Sequence, residues 1–199
     1  MPASGAWNLL FGMADTLFVL YAVRELSIGA GALGTIFGTA AIGGLIGSSI
    51  STRLGRRGTF GPVLAVAFSL GTLPWLALPA LSCPMPLRLV GFSAAYFLVR
   101  LGLGLWGVIV SSYRQTVVPA ESLGRAGASL RFVSYGLGAL GYPLAGFLGK
   151  LLGLRPGLWV AALGFAVLLG AVLFVSPLPR IRSLSPTDPG PASGDGRAS

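Results

Sequence analysis

The chain has 199 residues, of which 54% are hydrophobic and only 10% are charged, and its formal net charge is +9. An average soluble domain carries about 25% charged residues, so this composition excludes an ordinary water-soluble globular protein. The apolar residues form blocks longer than the roughly 18 residues that indicate a membrane span. The sequence therefore predicts an all-α integral membrane protein, a bundle of six transmembrane helices in contact with membrane lipid.

The basic excess lies mainly between the apolar blocks and not on one exposed face, which argues against nucleic-acid binding. With one cysteine and no histidine, the chain can form no intramolecular disulfide and offers almost no ligands for zinc. A nucleophile would lack a histidine base, and paired carboxylates are absent. The only lysine, Lys150, precedes Leu151, where a phosphate-binding loop requires Ser or Thr. We therefore expect no enzyme, no cofactor and no resident metal.

Six apolar blocks follow one another along the chain. They cover approximately residues 6–23, 29–52, 60–81, 87–113, 126–152 and 158–175. Pro74 and Pro79 in the third block predict a kink or a broken turn. A short turn over residues 153–157 is expected between the last two blocks. Beyond them Pro, Ser and Gly predominate, so residues 1–176 are predicted to form the membrane domain and residues 177–199 a disordered cytoplasmic tail.

Two pairs of glycines lie in the second block, Gly34 with Gly38 and Gly43 with Gly47. A spacing of four puts each pair on one face of a helix and permits a neighbouring backbone to approach closely. Glycine is frequent throughout, with 31 residues in all, so chance explains any single pair about as well.

The distribution of basic residues predicts the orientation. Six spans put both termini on one side of the membrane, and Lys and Arg in short loops favour the cytoplasm. With cytoplasmic termini, the arginines inside are Arg53, Arg56, Arg57, Arg114, Arg125, Arg180, Arg182 and Arg197. The outer loops keep Arg24, Arg88, Lys150 and Arg155. This bias favours a multi-pass protein of the cell membrane with both termini in the cytoplasm.

Asp15 and Arg100 are ionisable residues inside the first and the fourth apolar block, and Asn8 is a further polar residue in the first. A charge facing lipid costs about several kcal/mol, so both charged side chains should face the bundle interior or a water-filled cavity. At 1.5 Å per residue their backbones differ in depth by roughly 8 Å, which an arginine side chain can largely cover. A pair between them would either lock two helices together or lie in a transport pathway.

The loop after the second block reads SSISTRLGRR over residues 48–57. It resembles the signature motif of the major facilitator superfamily, which has a small residue, three variable positions, Asp, a basic residue, one variable position, and then Gly followed by two basic residues. Thr52 occupies the position of the Asp, and Ser48 that of the leading Gly. The loop is therefore more similar to the family's copy between its eighth and ninth helices than to the stricter first-half copy. An ordinary basic cytoplasmic loop is the alternative interpretation.

A second match lies two spans further on, where residues 114–125 read RQTVVPAESLGR. This segment resembles the connection between the tenth and eleventh helices in one bacterial efflux branch of the superfamily, the branch that includes siderophore and macrolide exporters. Residues 21–26 and 153–156 are also similar to that branch. The resemblance covers nearly all of residues 1–176, but only as the C-terminal six helices of a twelve-helix family. Residues 138–146 are loosely similar to a Gly-Pro-rich motif of proton-coupled antiporters.

The resemblance implies half of a secondary transporter, exporting a small amphiphilic substrate with proton coupling by rocking against a first-half six-helix unit or a second copy. It implies that Asp15, Arg100 and Asn8 line the substrate and ion pathway, because the first and fourth helices of each half line the family's cavity. The resemblance also implies a second set of residues that control cytoplasmic gating: Arg53, Arg56, Arg57, Glu121, Arg114 and Arg125.

Two alternatives stay open. A pair between Glu121 and the basic loop is also explained as a solvated surface pair, which contributes about 0–1 kcal/mol. A six-helix unit without the family's first half is also explained as a truncated, non-transporting fragment, or as an assembly or regulatory partner of another transporter.

Overall fold

The computed structural model describes residues 2–55, 60–117 and 120–175, and the side chains of residues 5–53, 63–107 and 134–172. Within these ranges every element is a helix. The helices are α1 (Pro2–Arg24), α2 (Ala30–Gly55), α3 (Phe60–Thr72), α4 (Pro74–Ala80), α5 (Met85–Val117), α6 (Ala120–Leu152) and α7 (Leu154–Val175). Five segments are long and apolar enough to cross a membrane, and α6, with 33 residues, is a sixth long helix. The prediction of an all-α chain with membrane-spanning helices is confirmed at this level.

The third span is broken at Pro74. Helix α3 ends at Thr72, and α4 begins at Pro74 after the single residue Leu73. Proline has no N–H to continue the helical hydrogen bonds, and it is best accepted in the first turn of a new helix. The two helices together form one apolar segment, Val63–Ala80. The break predicted at Pro74 is therefore confirmed, whereas Pro79 lies inside α4.

The connections are shorter than hydropathy suggests. The expected connection over residues 114–125 is largely helical, because α5 continues to Val117 and α6 begins at Ala120. The expected turn over 153–157 reduces to Gly153, whose φ of +93° favours glycine. Apolar blocks mark what lies in lipid, whereas helical hydrogen bonds continue into polar sequence, so the helices extend beyond the approximate ends of the apolar blocks. The start of α6 at Ala120 agrees with the helix start that Pro119 predicts in this connection. The predicted tail, residues 177–199, lies outside the described residues.

Two helices organise the bundle. Helix α1 packs against α6 and α7, and helix α5 packs against α2, α3 and α4. Helix α7 also contacts α3, α4 and α6, which brings the two groups together. The largest buried side chains lie between these helices: Leu17, Phe18, Trp75, Phe92, Tyr96 and Phe165.

Helices α2 and α5 approach closely through glycine. A Cβ atom at Gly43 would collide with the carbonyl oxygen of Phe97, and one at Gly47 with that of Leu101. Both helices advance by four residues between these contacts, so they run parallel. This finding confirms the interpretation of Gly43 and Gly47 as a packing pair.

The other glycine pair of α2 does not pack in the described structure. A Cβ atom at Gly34 or Gly38 would meet nothing within 4 Å. The parallel contact of α2 with α5 instead extends one turn further along, where the hydroxyl of Ser51 donates a hydrogen bond of 3.1 Å to the carbonyl oxygen of Leu105. Two glycine pairs with the same four-residue spacing therefore differ within one helix, since one packs against a neighbouring backbone and the other does not.

Helices α1 and α6 form a second close pair. A Cβ atom at Gly141 would collide with the carbonyl oxygen of Leu9, and one at Gly12 would lie 2.8 Å from that of Gly138. Leu137 meets Gly5 four residues before the contact of Gly141 with Leu9, so these two helices also run parallel. Glycines of α6 thus permit a close approach to the backbone of α1, as glycines of α2 permit one to the backbone of α5.

Arg155 ties two loops together at one end of the bundle. Its Nε donates to the carbonyl oxygen of Pro79 at 3.1 Å, and its Nη2 to the hydroxyl of Ser82 at 2.6 Å. The last carbonyls of a helix lack intrahelical donors, so the guanidinium satisfies one of these groups at the end of α4. The connection of α4 to α5 and the turn before α7 therefore lie at the same end, as alternating spans require.

Candidate functional site

A cluster of aromatic side chains fills the interior of the bundle. Its members are Trp7, Phe11, Phe18, Phe37, Trp75, Phe92, Tyr96 and Phe165, and the centroids of neighbouring rings lie 4.7–5.8 Å apart. We call this cluster the aromatic core. Trp75 joins it across three helices, because its ring meets Phe11 and Tyr96 edge-on and stacks on Phe165. The aromatic core positions the polar side chains described next.

Asp15 is held by Tyr96. The hydroxyl of Tyr96 donates a hydrogen bond of 3.1 Å to Oδ1 of Asp15. Tyr96 is only 1% exposed, and its ring packs against Phe18, Phe37 and Trp75. A buried tyrosine hydroxyl needs a polar partner, and here the half-buried carboxylate supplies it. Because packing holds the ring in place, the hydrogen bond fixes the orientation of the carboxylate.

Arg100 lies next to this pair. Its guanidinium carbon is 5.1 Å from the centroid of the Phe11 ring, which is the geometry of a cation–π contact. Phe11 and Asp15 are four residues apart on α1, as Tyr96 and Arg100 are on α5, so each pair shares one helix face. The two contacts join antiparallel helices at successive turns, so along each backbone they are offset by about 6 Å.

The structure does not show the direct pair considered from the sequence. Asp15 and Arg100 both belong to the described part of the chain, and no salt bridge joins them there. The reason is geometric: Tyr96 occupies the level of the carboxylate, and Arg100 lies one turn further along α5. The charge of Arg100 still acts on the carboxylate across that turn. The offset in depth agrees in direction with the one expected from the sequence.

The other predicted residues fall in different places. Asn8 is half-buried on α1, and its Cβ lies 3.2 Å from the position that a Cβ would take at Gly138 of α6. The exposed side chain of Arg53 lies near the end of α2. The remaining gating residues lie outside the described side chains: Arg56, Arg57, Arg114, Glu121 and Arg125. Their role in gating stays a prediction.

Sequence reasoning missed the two aromatic residues that complete the site. Phe11 precedes Asp15 by four residues, and Tyr96 precedes Arg100 by four. An aromatic residue one turn from an ionisable one inside a span is a pattern that the sequence does display. It indicates a shared helix face, but it does not indicate which helix lies opposite.

Tyr96→Phe is expected to lower the stability of the bundle slightly, because it removes the hydrogen bond to Asp15 and keeps the ring. Side-chain hydrogen bonds between membrane helices contribute about 0.6 kcal/mol on average and about 1.7 at most. Thermal unfolding in lipid nanodiscs measures this change. Tyr135→Phe is the matched control, because Tyr135 is 69% exposed. Equal stability of the two variants would contradict a contribution from this hydrogen bond.

Comparisons of the chain with protein-family models, with curated proteins and with solved structures found no match.

Proposed function

We propose that the chain is one half of a secondary transporter of the major facilitator superfamily. It moves a small amphiphilic molecule across the cell membrane, coupled to protons, by rocking against a second six-helix unit. Its termini lie in the cytoplasm, as the arginine distribution favours. The motifs at residues 48–57 and 114–125 suggest the family, and the packing of the spans is the observation that carries the proposal.

The spans pack as two equivalent sets of three. The first set is α1, α2 and the broken span of α3 and α4, and the second set is α5, α6 and α7. The first span of each set packs against the second and third spans of the other set: α1 against α6 and α7, and α5 against α2, α3 and α4. The two third spans contact each other. The pattern of contacts stays the same when the two sets are exchanged. The contact of α6 with α7 is the exception, because in the described part of the chain it has no comparable counterpart between α2 and the broken span.

The glycine contacts follow the same equivalence. The second span of the first set places Gly47 against the backbone of α5, and the second span of the second set places Gly141 against the backbone of α1. Both helix pairs are parallel. Each half of a major facilitator transporter is built from two such repeats of three helices. The arrangement therefore supports this family over an unrelated helical bundle.

The site lies on equivalent spans. Asp15 belongs to the first span of one set and Arg100 to the first span of the other, and both side chains are half-buried. A charge at this depth that faced lipid would cost about several kcal/mol. Water in a cavity, or a second unit, would remove that cost. These charges therefore favour a pathway that is lined by α1 and α5 on one side and by a second unit on the other.

Flux measurements in proteoliposomes test the proposal. The purified chain alone should give no saturable flux of an amphiphilic drug, because alternating access needs a second repeat unit against which to rock. Co-reconstitution with a matching six-helix first half should restore flux, and Asp15→Asn should abolish it. Absence of flux with every first half tested would favour the alternative, a non-transporting membrane fragment. Saturable flux from the monomeric chain would also overturn the proposal.

A further inference from the structure

The two charged groups of the site are held apart from each other. Tyr96 contacts the carboxylate of Asp15, and Phe11 contacts the guanidinium of Arg100 one turn away. Both aromatic residues belong to the aromatic core, whose ring contacts fix their positions. The separation of the charges is therefore a property of the packed interior and not of two flexible side chains.

Within the described part of the chain, neither group is fully satisfied. A carboxylate accepts about four hydrogen bonds and a guanidinium donates five, whereas the described contacts are one hydrogen bond and one cation–π contact. A cation–π contact contributes about 0.5–2 kcal/mol, less than the several kcal/mol that an unpaired charge costs in a membrane. Asp15 and Arg100 are each only half-buried, so part of each side chain stays accessible to a bound molecule.

The signs of the charges select the class of that molecule. A cation attracted to Asp15 would be repelled by Arg100 one turn away, and an anion attracted to Arg100 would be repelled by Asp15. A molecule with both charges meets both groups and brings no net charge into a region of low dielectric constant. We propose that this site binds a zwitterion, with the ammonium group on Asp15 and the carboxylate on Arg100. This inference rests on the proposed function and names its substrate class.

Half-buried aromatic rings beside the charges fit an apolar body on the same molecule. Trp7 stacks on Phe11 with centroids 5.1 Å apart, and both are half-buried. Phe37 is also half-buried and contacts Tyr96 edge-on at 5.4 Å. The two contacts are offset by about one helical turn along the backbones, an offset that the ammonium and carboxylate groups of a short zwitterion such as an amino acid can bridge. An aromatic amino acid or a relative of one is the ligand class that these features describe together.

Binding of three probes with one aromatic body tests the inference. The full chain in lipid nanodiscs is titrated with L-phenylalanine, with L-phenylalaninamide, which lacks the carboxylate, and with N-acetyl-L-phenylalanine, which lacks the ammonium group. The fluorescence of the chain's tryptophans reports binding, because Trp7 lies at the site. We expect L-phenylalanine to bind roughly tenfold more tightly than either other probe, since one charge-assisted contact contributes about that factor.

Substitutions then separate the two charges. Asp15→Asn should weaken L-phenylalanine roughly tenfold and leave the N-acetyl probe unchanged, whereas Arg100→Gln should weaken L-phenylalanine equally and leave the amide unchanged. Glu25→Gln and Arg24→Gln remove the same charges from exposed positions at the end of α1 and should change no affinity. A merely structural role would weaken all three probes equally.

The outcomes are distinct from those of the flux experiment. Selective binding of L-phenylalanine without flux in any co-reconstitution with a first half leaves the zwitterion site standing and removes the transport proposal. Flux without selective binding of the zwitterion supports the transport proposal and overturns the zwitterion site. The inference is overturned if no probe binds, if the amide or the N-acetyl probe binds as tightly as L-phenylalanine, or if each variant weakens all three probes alike.

Discussion

Gly47→Ala is expected to destabilise the bundle by about 1–3 kcal/mol or more, because the added methyl group would collide with the backbone of α5. The carbonyl oxygen of Leu101 lies well inside contact distance of the new Cβ. A backbone carbonyl cannot move without shifting the whole helix, unlike the end of a flexible side chain. Thermal unfolding of the variant in lipid nanodiscs, together with the yield of folded protein, measures the effect.

Gly34→Ala is the matched control on the same helix. It has open space around the position of its Cβ atom, and alanine favours a helix over glycine by about 1 kcal/mol. We therefore expect this variant to be as stable as the native chain or slightly more stable. Gly141→Ala and Gly146→Ala repeat the comparison on α6, where Gly141 faces a backbone carbonyl and Gly146 faces open space. Equal effects of the close and the open glycines would contradict the packing described for both helix pairs.

Trp75→Ala is expected to cost about 3–5 kcal/mol, the range for removing a large buried aromatic side chain. Trp75 is 1% exposed and contacts Phe11, Tyr96 and Phe165. Its loss would leave a cavity next to both residues that hold the charged groups. Chemical or thermal unfolding measures the change in stability, and the binding titrations measure the effect on the site.

Trp75→Phe should be much milder. The indole Nε1 of Trp75 is buried without a hydrogen-bond partner in the described structure, so its removal breaks no hydrogen bond and relieves an unsatisfied donor. The cost is then limited to the smaller ring. Trp159→Ala, at a position that is 38% exposed, serves as the control for loss of an indole. A cost for Trp75→Phe as large as that for Trp75→Ala would show that the indole N–H has a partner.

The placement of the candidate site was partly readable from the sequence. Asp15 and Arg100 stood out because ionisable residues inside apolar blocks are costly, and their difference in depth followed from counting residues along two helices. Their partners did not stand out. Phe11 and Tyr96 are two of many aromatic residues in apolar blocks, and only the packing of α1 against α5 distinguishes them from the rest of the aromatic core.

Local and one-dimensional properties determined what the sequence could establish by itself. Long apolar blocks indicate helices in lipid wherever their neighbours lie, and Pro74 breaks its helix because it lacks an N–H. Contacts between helices depend instead on rotation, register and the identity of the neighbour. Gly34 and Gly47 illustrate the difference: both belong to four-residue glycine pairs in one helix, yet one faces open space and the other a backbone carbonyl. Only the tertiary structure decided between them, because spacing fixes the face of a helix but not what packs against it.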